Sequence, residues 1–129
     1  MGAVWPHGLG HALGMDVHDM EGLGENFVGY DDKVQRSNIF GHRSLRFGKY
    51  TKVGNVLTVE PGIYFITRLI EQWKSEGKFT DFINYTKLAD YYDFGGIRIE
   101  DDIVITDNGC RVLGKPLQKS VAELESFMR

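Results

Sequence analysis

Three polar side chains, His11, Glu60 and Glu100, fall on or beside apolar segments that read as β-strand. A strand sets one face against a core or a cleft, and a carboxylate held there needs a partner. A cation is one such partner. One imidazole and two carboxylates suit Mn2+, Co2+ or Fe2+, and Zn2+ less exclusively. Spacing alone leaves a second reading open, in which Glu60 ends its strand at the surface and Glu100 pairs with Arg98 or a lysine. His7 stands four residues before His11, the interval of a zinc-binding pair on a helix. Gly8 and Gly10 argue against helix there, and on a strand the two imidazoles share a face. The one cysteine, Cys110, follows the turn-forming run Asp107-Asn108-Gly109 and reads as a loop or strand-edge thiol, not a nucleophile.

The elements that must position these residues are legible in outline. Residues 7–11 and 22–24 are too glycine-rich for helix and read as strand and loop where the backbone approaches something closely. Residues 20–45 read as a long loop. Val53-Gly54-Asn55 is a turn, and Val56 to Glu60 is a strand stopped by Pro61-Gly62, with Ile63 to Ile66 continuing as strand. Leu69, Ile70 and Trp73 recur at helical spacing over 67–76, and Gly77 ends that pattern. A second amphipathic stretch spans about 79–91. Ile97-Arg98-Ile99-Glu100 alternates with period two, which puts Arg98 and Glu100 on one face. Asp101-Asp102 reads as a solvated bulge or turn, Ile103 to Thr106 as strand, and Arg111 to Leu113 as the strand returning from the turn. Ser120 with Glu123 forms a capping box that opens a helix through Met128. The sum is an α+β fold with mainly antiparallel strands. Trp5, Tyr64 and Phe65 read as packing residues.

The chain has 129 residues, enough for one domain. A net charge of −3 gives no electrostatic reason to expect nucleic acid or an anionic membrane as partner. No apolar run approaches the roughly 18 residues that span a bilayer. The first residues lack the basic and apolar regions of a secretory signal, and Pro6 argues against myristoylation of the Met-Gly start. A single thiol fits a reducing compartment, so a cytoplasmic location is expected.

Three segments carry a resemblance. Pro6-His7-Gly8-Leu9-Gly10-His11-Ala12-Leu13-Gly14-Met15-Asp16-Val17-His18-Asp19 resembles the histidine motif of the prolidases and aminopeptidases P, proline-specific metallopeptidases of the pita-bread fold. Val56-Leu57-Thr58-Val59-Glu60-Pro61-Gly62-Ile63-Tyr64 resembles their first glutamate motif, and Phe94-Gly95-Gly96-Ile97-Arg98-Ile99-Glu100-Asp101-Asp102 their second. The order is the family's, and the segment from Tyr64 to Phe94 looks more like the prolidase branch. The resemblance implies that residues 1–129 form the C-terminal half of a pita-bread catalytic domain, a mainly antiparallel curved sheet with flanking helices. It implies two divalent metal ions, Mn2+ first and Co2+, Fe2+ or Zn2+ as alternatives. His11 and Glu60 would ligate one ion, and Glu100 would bridge both. His18 would lie beside the scissile carbonyl, His7 would line the pocket, and Arg46 and Arg98 would hold the carboxylate of an Xaa-Pro dipeptide or shape the site.

The family's two aspartate ligands lie on a strand upstream of the histidine motif, and this sequence begins ten residues before His11. The expectation is therefore a piece of a longer peptidase, inactive alone, a weak binder of metal, and prone to self-association or homodimer formation through uncovered apolar surface. The rival reading is a catalytically dead relative that binds peptide or protein. Aminopeptidase P acting on longer peptides and methionine aminopeptidase are further alternatives.

Overall fold

Val56-Leu57-Thr58-Val59 is rich in β-branched residues, which fit a pleated, half-buried surface, and it forms β1 (Val56–Val59). The computed structural model describes residues 6–129, so the reading of Trp5 lies outside the described residues. Beyond β1 follow β2 (Gly62–Tyr64), β3 (Gly96–Arg98), β4 (Asp101–Thr106) and β5 (Gly109–Val112). β1 pairs antiparallel with β4, and β2 with β3. Both ladders keep one register: Val59 faces Asp101, and Gly62 faces Arg98. Glu60 therefore falls opposite Glu100, and Pro61 opposite Ile99. Proline has no N–H to donate, which interrupts the ladder at this point. The Pro61 carbonyl still accepts from the Ile99 amide at 3.1 Å. The two halves of one long ribbon thus become two sheets, β1-β4-β5 and β2-β3, with the glutamates at the junction.

The glycine-rich segment around His11 runs along the free edge of β1. Ala12 bridges Leu57, the Thr58 amide donates to the His11 carbonyl at 2.9 Å, and the Glu60 amide to that of Leu9 at 2.7 Å. Gly10 makes this approach possible, since a Cβ there would lie 1.8 Å from the Thr58 carbonyl oxygen.

Among the described residues four α-helices flank the strands: α1 (Glu25–Gly29), α2 (Thr67–Ser75), α3 (Tyr85–Leu88) and α4 (Val121–Phe127). The expected loop over 20–45 contains α1. The strand expected to reach Ile66 ends at Tyr64. The amphipathic stretch over 79–91 is helical only from Tyr85, through α3 and a 3-10 turn over Ala89–Tyr91. Gly77 and Phe79, at φ 63° and 55°, turn the backbone out of the right-handed helical region, and the Asn84 side chain caps the new helix by accepting from the Lys87 amide. Asp101-Asp102 is neither bulge nor turn. The register with β1 carries both residues into β4, and Lys119 pairs with Asp101 at 2.6 Å. Ser120 and Glu123 form the expected capping box at the start of α4.

Among the described residues, the buried apolar side chains are Leu57, Ile70 and Tyr85, matched by three buried polar ones, His11, Thr58 and Glu60 at 6, 4 and 8% exposure. The chain presents 9719 Å² of surface. A folded monomer of its size presents about 6900 Å². No described helix is long and apolar enough to cross a membrane.

Candidate metal centre

Like charges placed directly opposite on a sheet repel, so the Glu60–Glu100 pair needs a positive partner. Arg98 is one. Its Nη1 lies 3.0 Å from Glu60 Oε2 and its Nη2 2.9 Å from Glu100 Oε2. The alternation in Ile97-Arg98-Ile99-Glu100 delivers both side chains to one face, as expected. Burial works to lower the Arg98 pKa, but the charges of Glu100 and Glu60 outweigh it and hold the guanidinium above its ordinary value.

The other Glu60 oxygen turns to His11. Glu60 Oε1 lies 3.4 Å from His11 Nε2 and accepts from the Thr58 hydroxyl at 3.2 Å. One ligand atom each from His11, Glu60 and Glu100 lies within 4.8 Å of the others, with His11 and Glu60 buried. These residues fit a divalent cation. Two carboxylates against one guanidinium leave net negative charge around a donor set of nitrogen and oxygen that is buried at His11 and Glu60 and half-buried at Glu100, which favours a cation. Burial of Glu60 also removes the reading that placed it at an exposed strand end.

The other expected residues gather around this group. The His18 ring meets the His11 ring edge-on, with centroids 4.4 Å apart. His18 Nδ1 lies 2.7 Å from Glu21 Oε2, and a carboxylate only accepts, so Nδ1 carries the hydrogen. Arg46 donates to Glu21 at 2.7 Å and to Glu25 at 2.9 Å. Glu21 is held below the usual carboxylate range, first by the bond from His18 and then by Arg46. Burial opposes the charge on Arg46, yet Glu21 and Glu25 together raise its pKa. His7 meets Tyr64 edge-on at 5.2 Å over Gly62, where a Cβ would lie 3.0 Å from His7 Nε2. His7, His11, His18, Arg46, Glu60 and Arg98 line one cavity of about 260 Å³, and Glu100 joins it through Arg98.

Sequence reasoning missed Thr58, Glu21 and Glu25. Thr58 was open to detection, because period two puts it on the same strand face as Glu60. The two glutamates carry no such signal. The loop fold brings them to Arg46, with Gly29 packed so close that a Cβ would lie 1.9 Å from the Arg46 carbonyl oxygen.

The chain as a whole is similar to known proteins. The chain belongs to metallopeptidase family M24, whose sequence profile matches residues 1–107. It is 44% identical to the Xaa-Pro dipeptidase of Rattus norvegicus over 99% of this chain and 25% of that protein. It is 43% identical to the Xaa-Pro dipeptidase of Homo sapiens over 99% of this chain and 24% of that one. The chain thus spans about a quarter of the length of the curated relatives it matches. The proline aminopeptidase P II of Yersinia pestis superposes with a TM-score of 0.55 at 33% identity, covering 97% of this chain and 20% of that one. The E. coli aminopeptidase P solved with the inhibitor Pro-Leu gives the same values, 0.55 and 33% over 97% and 20%. The α+β arrangement of antiparallel strands and helices is accordingly that of the pita-bread fold. A metallopeptidase family implies divalent metal, and His11, Glu60 and Glu100 are the group that could hold it.

Proposed function

We propose that residues 1–129 supply the C-terminal half of the catalytic domain of a dinuclear-metal peptidase that hydrolyses the Xaa-Pro bond of dipeptides. The convergence of His11, Glu60 and Glu100 within 4.8 Å, in a chain of this family, carries the reading. Identity of 44% and 43% to the rat and human Xaa-Pro dipeptidases over 99% of this chain supports dipeptides over longer peptides. When bound, two divalent ions (Mn2+ first, Co2+, Fe2+ or Zn2+ as alternatives) supply an activated water and a polarised carbonyl. His11 and Glu60 would hold one ion, and Glu100 would serve both. His18 stands beside the scissile carbonyl, where its hydrogen bond to Glu21 fixes the ring. His7 closes the pocket over Gly62. Arg46 and Arg98 face the substrate's carboxylate with N–H donors beyond those given to the glutamates.

The remaining ligands in this reading are two aspartates upstream of Met1, so the isolated chain is inactive. Its total exposed surface exceeds that of a folded monomer of its size by an area typical of obligate interfaces, and in this reading self-association or a homodimer covers it. The exposed free thiol of Cys110 fits a reducing compartment, and the cytoplasm is the location in this reading. Two observations test the assignment. The reading frame upstream of Met1 is expected to encode a strand with two aspartates, and its absence would favour a binding module. The purified chain with Mn2+ is expected to leave Gly-Pro intact, and robust hydrolysis would overturn the half-site account.

A further inference from the structure

Thr58 is buried between two of the proposed metal ligands, and each bond its hydroxyl makes goes to one of them. The Ala12–Leu57 bridge, flanked by bonds from the Leu13 amide to the Val56 carbonyl and from the Thr58 amide to the His11 carbonyl, sets His11 opposite Thr58. In a regular antiparallel ladder the His11 amide would donate to the Thr58 carbonyl. It donates instead to the Thr58 hydroxyl, at 3.0 Å. The same hydroxyl lies 3.2 Å from Glu60 Oε1, the oxygen that faces His11 Nε2. The directions are fixed without seeing a hydrogen. A backbone amide only donates and an ionised carboxylate only accepts, so the hydroxyl proton must point at Glu60.

We propose that Thr58 is a positioning residue that clasps the His11 backbone and the Glu60 carboxylate into one cation-binding unit, a role that rests on the metal reading above. The clasp is intrinsic to this chain. It needs no upstream ligand, and it depends on Gly10 allowing the His11 segment to lie against β1. Thr58→Val keeps the shape of the side chain and removes the hydroxyl. Thr58→Ser keeps the hydroxyl and removes the methyl group.

The test uses the whole 129-residue chain. Mn2+ binding is measured by calorimetry, and exchange at the His11 and Leu13 amides by NMR, for the wild type and both variants. Loss of an outer-shell partner weakens metal affinity by about 10- to 100-fold, and T58V is expected to show at least the lower figure. T58V also accelerates exchange at His11 and leaves that at Leu13 near its wild-type rate, while T58S restores both properties. Wild-type affinity in T58V, or equal impairment in T58S, overturns the proposal. A wild-type chain that takes up no Mn2+ counts against the metal reading. The exchange arm then decides alone: equal acceleration at His11 and Leu13 in T58V sinks the clasp. An unprotected His11 amide in the wild type sinks it without any variant, including where T58V does not fold.

Discussion

The strand junction and the aromatic surface beside it solve opposite problems. At the junction, His11, Thr58 and Glu60 are buried polar groups, and every bond that secures them comes from within the chain. Around α2, Trp73 meets Phe40 and Phe79, and Phe65 meets Tyr91 and Phe94. Phe40, Phe79, Phe82, Tyr91 and Phe94 nonetheless remain exposed. Apolar surface on this scale is stabilising only when covered. The polar site is thus preorganised by short ladder bonds, whereas the aromatic side chains stay in contact with solvent.

The sharpest way to break the junction is Gly10→Ala. Its Cβ meets the Thr58 backbone, which cannot give way as a side-chain tip would. Urea denaturation is expected to register a loss of about 3 kcal/mol, at the upper end for overpacking. A loss within about 0.5 kcal/mol, the scale of an ordinary surface change, would mean the His11 segment is not held against β1. The apolar side is tested by light scattering. Species larger than the monomer are expected, and Phe82→Ser is expected to shift them toward monomer with little change in fold, because Phe82 is exposed. A monodisperse monomer in the wild type would show that this surface tolerates water. The smallest effect lies at the periphery, on α4. Glu123 is held below its ordinary value of 4.5 by the Ser120 hydroxyl and then by the Ser120 and Lys119 amides. A depressed carboxylate stabilises above its unfolded pKa, and that contribution fades as pH falls through the folded value. The protection of the α4 amides, measured as exchange relative to the intrinsic rate at each pH, is therefore expected to fall on acidification below about pH 4.5. Glu123→Gln removes most of that pH dependence, and an unchanged profile in the variant would contradict the cap.

How much of this was legible depended on the range of the interaction. Arg98 and Glu100 share a face because strand alternation is local, and sequence displays it. The capping box of Ser120 and Glu123 is equally local. His11, Glu60 and Glu100 come from three distant segments, and their meeting was read from motif resemblance, not from spacing. Asp101-Asp102 misled because two adjacent acids suggest solvent, while their actual fate was set by Lys119 and by a register inherited from β1. The stretch over 79–91 misled because periodicity records side chains and misses the left-handed backbone at Phe79. The hold of Glu21 and Glu25 on Arg46 spans 25 and 21 residues, and no local pattern encodes it.

In the proposed reading, His11, Glu60 and Glu100 form a cation site that further ligands would complete. Calorimetric titration of Mn2+ into the wild-type chain and into Glu60→Gln tests it most directly. Weak uptake by the wild type is expected, because three ligands would leave an ion under-coordinated, with loss of that uptake in the variant. Two tight sites in the wild type, or binding unchanged by Glu60→Gln, would contradict it.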